Sequence, residues 1–208
     1  MLPEGLTTIE KEGFCNCRIL TTVAFSKGLK TIGPSAFRLC RSLTSIVLPE
    51  GLETIGRQAF SDCESLASAV LPEGLKTIEE YAFYGSNLTS IVIPEGVTIV
   101  GPYALANCNR LVSVIIPGSV KTIEDEAFVE CKALKSVVLQ EGVTKIGKKA
   151  FFSCGNLTSL KLPSTIQTVL RDTRYYTVIS SCVITVPKGY VEKYRQWFPK
   201  NRIVEAEE

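Results

Sequence analysis

Apolar residues return along this chain at a fixed interval. A unit opens at Leu2, Phe25, Leu48, Leu71, Ile93, Ile116, Leu139 and Leu162, in steps of 23 residues broken once by a step of 22. Such a period marks a stacked solenoid, in which each unit can bury its apolar face only against its neighbours. In unit 48–70, Ser45-Ile46-Val47-Leu48 leads in as a short strand. Pro49 ends that strand because proline has no ladder donor. Pro49-Glu50-Gly51 then places proline and glycine as a type I turn prefers them. Leu52 and Ile55 point inward from a second extended stretch, and residues 56–60 are expected to form one or two helical turns. Pro34 and Pro102, each one residue after a glycine, suit a first helical position. Glu10, Glu79 and Glu124 stand nearby, where a helix N-terminus favours negative charge.

Three inward columns repeat nearly unchanged. One is Leu20, Leu43, Leu66, Leu88, Leu111, Leu134 and Leu157; another is Ile9, Ile32, Ile55, Ile78, Val100, Ile123 and Ile146. The third is Phe14, Phe37, Phe60, Phe83, Phe128 and Phe151, with Leu105 as the substitute. Each such side chain stabilises by roughly 1.5–3 kcal/mol when buried. With strands stacked about 4.8 Å apart, seven repeats span about 35 Å. These columns are core.

The unit reads L-P-x-x-L-x-x-I-x-x-x-A-F-x-x-C-x-x-L-x-x-I, and in that pattern the chain resembles the BspA-like leucine-rich repeat family over roughly residues 2–187. The resemblance implies an α/β repeat: a leucine-rich-repeat solenoid with a parallel β-sheet on its concave face, short helical turns opposite and no shared catalytic residues. It also implies a bacterial cell-surface or secreted setting, with host proteins or other cells as binding partners.

The last part of the chain leaves the repeat. After an irregular stretch over residues 170–181, Val183-Ile184-Thr185-Val186-Pro187 reads as a final strand. Residues 189–198 then carry apolar side chains at the spacing of an amphipathic helix, stopped by Pro199. A terminal repeat needs a cover, and this helix is expected to supply it. The division is therefore 1–187 for the solenoid and 188–208 for the capping helix and tail. Leu2 begins in mid-unit without such a cover, so self-association through the open first repeat is expected, or a longer array.

Composition narrows the function. A formal charge of +2 offers no excess of basic residues for nucleic acid, although residues 105–208 are more basic than residues 1–104. No signal peptide precedes Pro3, and no apolar run reaches the roughly 18 residues of a membrane span. Histidine is absent, which removes Ser-His-Asp and Cys-His nucleophile arrangements. The aspartates Asp62, Asp125 and Asp172 are scattered over different units.

Six cysteines, Cys17, Cys40, Cys63, Cys108, Cys131 and Cys154, share one repeat position, with Ser86 in the remaining copy. Parallel neighbours about 4.8 Å apart do not bring Cβ atoms to the about 3.8 Å of a disulfide, and zinc wants four ligands around one point. A buried thiol ladder is the expected arrangement. Cys15 and Cys182 lie off it and are the candidate reactive thiols. Glu4, Glu50, Glu73, Glu95 and Glu141 share an exposed turn position, which no apolar pocket splits into acid and base. Asn87-Leu88-Thr89 and Asn156-Leu157-Thr158 match a glycosylation pattern that the repeat itself generates.

Outward strand positions are the candidate site. They are Ser45, Ser68, Ser90, Ser113 and Ser136, flanked in the same column by Thr22 and Ser159. Beside them run Val47, Val70, Val92, Ile115 and Val138, between Ala24 and Lys161. A contiguous exposed apolar strip of this kind marks an interaction surface. The sequence thus reads as a non-catalytic protein-binding module, of adhesin type, for a host extracellular-matrix or plasma protein. The alternative is a structural spacer in a longer surface protein. No cofactor and no metal are called for.

Overall fold

The computed structural model describes residues 2–171 and 178–207. Among the described residues every strand pairing is parallel, and all but that of the last strand join equivalent positions of successive units. One ladder is built from two-residue strands: β1 (Thr8–Ile9), β2 (Thr31–Ile32), β4 (Thr54–Ile55), β6 (Thr77–Ile78) and β7 (Ile99–Val100). It resumes as β9 (Thr122–Ile123), β11 (Lys145–Ile146) and β13 (Thr168–Val169). The second ladder pairs β3 (Ser45–Val47) with β5 (Ser68–Val70). It resumes as β8 (Ser113–Ile116), β10 (Ser136–Leu139), β12 (Ser159–Lys161) and β14 (Val183–Val186). Register follows the repeat, with Ser45 opposite Ser68 and Ser136 opposite Ser159. Like stacks on like because a one-residue slip would turn every buried side chain to the other face. The chain is a parallel β-solenoid of about eight turns with almost no helix.

All three predicted columns lie in one continuous core. Phenylalanine rings stack face to face, with centroids 5.1 Å apart for Phe14 and Phe37, 5.3 Å for Phe37 and Phe60, and 5.5 Å for Phe60 and Phe83. The stack resumes with Phe128 on Phe151 at 5.5 Å, on the far side of buried Leu105.

The thiol ladder is buried from Cys40 onward and all eight cysteines are free. Each inner thiol donates to the carbonyl above the preceding ring. Cys63 reaches Phe37 O at 3.2 Å, Cys131 reaches Leu105 O at 3.1 Å, and Cys154 reaches Phe128 O at 3.1 Å. Ser86 bonds the Phe83 carbonyl of its own unit instead, at 2.8 Å.

The expected helical turns are not formed. Their place is taken by a wall of tight turns in which two residues per unit, four apart, take a left-handed backbone. Examples are Ser35 and Leu39, Gln58 and Asp62, and Glu126 and Glu130, with φ between 56° and 62°. That twist aims their amides along the stack, so Gln58 N donates to Glu80 O (2.9 Å) and Asp62 N to Tyr84 O (2.7 Å). A continuing helix would have turned these amides back into its own unit. Pro34 and Pro102 belong to this wall, and Glu79 accepts the Arg57 amide of the adjoining unit rather than capping a helix.

At the other end the cap differs from expectation in two ways. The helix α1 is only Val191–Arg195, and β15 (Ile203–Glu205) follows it as an added strand beside β14. Tyr194 is fully buried and its hydroxyl donates to the Pro163 carbonyl. Burial raises the Tyr194 ionisation well above the ordinary phenol range. Asn201 donates to Ile179 O at 2.8 Å and Cys182 O at 2.9 Å, tying the cap to the last turn. Half of the irregular stretch, including Asp172, lies outside the described residues. Leu160 nonetheless faces Ile184, so the final unit is one residue longer than the usual step.

A strand face opened by one missing residue

Alternation within the longer ladder decides what faces out. In β3 and β5 the middle residue is buried and its neighbours are exposed. This places Ser45, Ser68, Ser90 and Ser113 at the surface, with Ser136 half-buried. The adjoining row is apolar and open: Val47 is 67% exposed, Val70 53%, Val92 79% and Ile115 55%, while Val138 is half-buried. All ten expected positions therefore lie in two parallel rows on one face.

The short step changes this face. Most units turn between the column cysteine and the column leucine, as when Leu66 N donates to Cys63 O (2.9 Å) and Leu111 N to Cys108 O (3.1 Å). From Ser86 to Leu88 one residue is missing, and no such bond forms. The stretch that follows loses its ladder partners. Ser90 still bridges Ser68, but residues 91–93 pair with no strand on either side. Among the described residues, no main-chain hydrogen bond joins Val92 or Ile93 to a neighbouring unit. The other ladder breaks at the same level, between β7 and β9.

The turn wall holds across the break, with Leu105 N bonded to Ala127 O at 3.0 Å and Asn107 N to Val129 O at 2.8 Å. The strand ladder is thus interrupted only from residue 91 on, since Val112 N still donates to Thr89 O at 3.2 Å, and the turn wall is continuous. A groove of about 400 Å³ fills the gap, with Val92, Pro94, Ile115 and Pro117 on its walls and Glu73 and Glu95 also lining it.

Two exposed apolar residues close to this region were missed: Ile99 is 50% and Val112 is 44% exposed. Ile99 stands where other units carry Thr or Lys, and Val112 mostly where they carry Thr, Ala or Lys, so the departure from the column was the available signal. On the turn wall, Tyr81 stacks on Tyr103 at 4.6 Å and meets Tyr84 edge-on at 5.5 Å. Burial, then a hydrogen bond to Glu126, pushes the Tyr103 phenol up to about 12.

The remaining candidates are occupied by structure. Cys182 is a correction to the expected pair of reactive thiols: it is fully buried, and burial followed by the nearness of Cys154 raises it to about 12. Burial likewise lifts Cys40 to about 11 and Cys108 to about 12. Cys15 is half-exposed. Glu4, Glu50, Glu73, Glu95 and Glu141 are exposed at their turn corners. The Asn87 amide donates to Glu64 O, and Asn156 to Lys132 O at 2.8 Å, so both asparagines act as rungs between units. Among the described residues, no three His, Cys, Asp or Glu side chains gather as a metal site.

The sequence profile of the BspA type leucine rich repeat region matches residues 1–112 and 99–196, in six copies. The chain belongs to this family. This BspA-type chain is similar to the Treponema pallidum leucine-rich repeat protein, at 31% identity over 78% of this chain and 73% of that one, with a TM-score of 0.65. It shares its fold with a leucine-rich repeat protein from Bacteroides ovatus, at 24% identity over 97% of this chain and a TM-score of 0.57. It spans 64% of that protein's length. No curated protein matches it significantly. BspA-type repeats are typical of bacterial surface proteins, and leucine-rich repeats commonly mediate protein–protein contacts on a scaffold that is generally non-catalytic. Among the described residues, no helix is long and apolar enough to cross a membrane.

Proposed function

We propose that this chain is a non-catalytic protein-binding module of a bacterial surface or secreted protein, adhesin-like, with its ligand seated on the strand face. One observation carries the reading: Val47, Val70, Val92 and Ile115 stand in a single row, each more than half exposed, beside a row of serines. Strand propensity alone accounts for β-branched residues there but not for the exposed apolar continuity. Hydroxyls and aliphatic groups side by side suit a protein surface better than a nucleic acid or a lipid headgroup.

The partner class, a host extracellular-matrix or plasma protein, is supported by the family. The test is binding of the purified chain to immobilised matrix and plasma proteins, beside a Val70→Lys/Val92→Lys/Ile115→Lys variant. Saturable binding by the parent and its loss in the variant support the strand face. Equal binding by both removes it, and no binding by either moves the reading to a structural spacer.

A further inference from the structure

We infer that the groove between residues 90–94 and 113–117 takes an extended partner segment carrying an aliphatic side chain beside a lysine or arginine. This rests on the reading of the strand face as the binding surface and names the chemistry that face selects. Three features of the groove converge on it.

The first is shape. The missing residue upstream interrupts the ladder from residue 91 on, while the Val112 N to Thr89 O bond and the turn wall still join the two units on either side of the gap. The result is a slot of about 400 Å³, a volume that suits side chains of one extended segment rather than a folded domain. The second is main-chain chemistry. Residues 91–93 pair with neither neighbour, so Val92 and Ile93 keep unpartnered backbone groups of the kind an added strand satisfies. Val92 and Ile115 supply apolar contact on either side of that stretch.

The third is charge. Glu73 and Glu95 line the same groove and are exposed, and among the described residues neither forms an ion pair. Two basic side chains reach this corner, Lys76 with its Nζ beside the Gly96 turn and Lys121 with its Nζ donating to Gly118 O at 2.8 Å, and among the described residues neither forms an ion pair with Glu73 or Glu95. Their counterpart Glu141 is already engaged, accepting the Ser164 amide at 2.7 Å and its hydroxyl at 2.9 Å. At position 118, the corner between Glu95 and Glu141, a glycine stands. Two free carboxylates therefore border an apolar slot. An anionic or neutral segment gains nothing from them, whereas a cationic side chain next to the aliphatic one is attracted and held in register.

The experiment uses two fluorescein-labelled heptapeptides of alternating valine and threonine, one ended at both sides by lysine and one by glutamate. Each is titrated by anisotropy against the 208-residue chain, its Glu73→Gln/Glu95→Gln variant and a Glu141→Gln control, at low and physiological salt. The parent and the control are expected to bind the lysine-ended peptide at least about tenfold more tightly, a margin that shrinks with salt. In the Glu73→Gln/Glu95→Gln variant the margin is expected to fall to about twofold or less. Amide shifts on binding should centre on residues 90–94 and 113–117.

Equal affinity of the parent for both peptides, or a margin that survives the double substitution, overturns the inference. If that equal binding is lost in Val92→Lys, the strand-face reading stands without charge selection. Failure of both peptides to bind removes the groove as a segment site, and the protein panel above then decides the strand face separately.

Discussion

Two neighbouring junctions of this solenoid differ by one residue of sequence and by the whole of their strand pairing. Between β8 and β10, four consecutive residue pairs stand in register from Ser113–Ser136 to Ile116–Leu139. One unit earlier, residues 91–93 pair with nothing, although Ile91 and Ile93 are buried and the turn wall beside them is intact. The columns of the core are the same at both junctions apart from Leu105 in place of phenylalanine, Val100 in place of isoleucine and Ser86 in place of cysteine. Core identity therefore holds the units together, and unit length sets whether their strands meet. A solenoid can lose a ladder locally without losing its stack.

Core substitutions give the largest expected effects. Phe128→Ala removes a ring stacked on Phe151 and should cost about 3–5 kcal/mol in urea unfolding. Leu105→Ala at the open junction should fall at the low end of the about 2–5 kcal/mol range, because the gap gives its neighbours room to close in. Equal costs, scaled to size, would mean that the open junction is as rigid as the paired one.

Next is alkaline pH, which probes the buried thiols on both sides of Ser86. Cys40, Cys108 and Cys182 are raised from 9.0 to about 11, 12 and 12. Unfolding releases each proton more readily. The neutral thiol thus contributes stability that is fully present below pH 9 and lost as pH climbs from 9 towards 11–12. The slope is about 1.4 kcal/mol per pH unit for each thiol over that window. Urea midpoints that stay flat from pH 8 to 10.5 would contradict this.

Restoring the repeat length is a smaller but more pointed change. Inserting one serine between Ser86 and Asn87 should bring residues 91–93 into the ladder and slow hydrogen exchange at Val92 and Ile93 by about tenfold, near 1.4 kcal/mol. Unchanged exchange would show that something other than unit length parts the strands. The smallest effect is on the turn wall. Glu130 sits at φ 60°, so Glu130→Gly should relieve left-handed strain and stabilise by about 0.5 kcal/mol, net of the flexibility glycine adds to the unfolded chain. A loss of stability there would mean that the side chain contributes more than its backbone costs.

The period by itself determined the stack, the three core columns, the outward serine and valine rows and the burial of most of the thiols. Those follow from counting, because identical units can satisfy their apolar faces only by lying one on another in register. The turn wall was misread as helix for a physical reason. Gln58, Leu39 and Glu130 carry no preference for a left-handed backbone, and only bonds to the next unit hold them there. The capping helix was overextended because residues 189–198 have helical spacing, whereas burial of Tyr194 and the pairing of β15 shorten it. Cys182 looked free because it lies off the thiol position, yet its turn bond to Ile179 O, the counterpart of Leu157 N to Cys154 O, gives it the place of a core leucine. The short step at residues 84–88 was visible, but not its consequence. Whether a missing residue is absorbed in a turn or parts a sheet depends on which hydrogen bonds lie downstream of it. That was decided only when Ser90 met Ser68 and the residues after it met nothing.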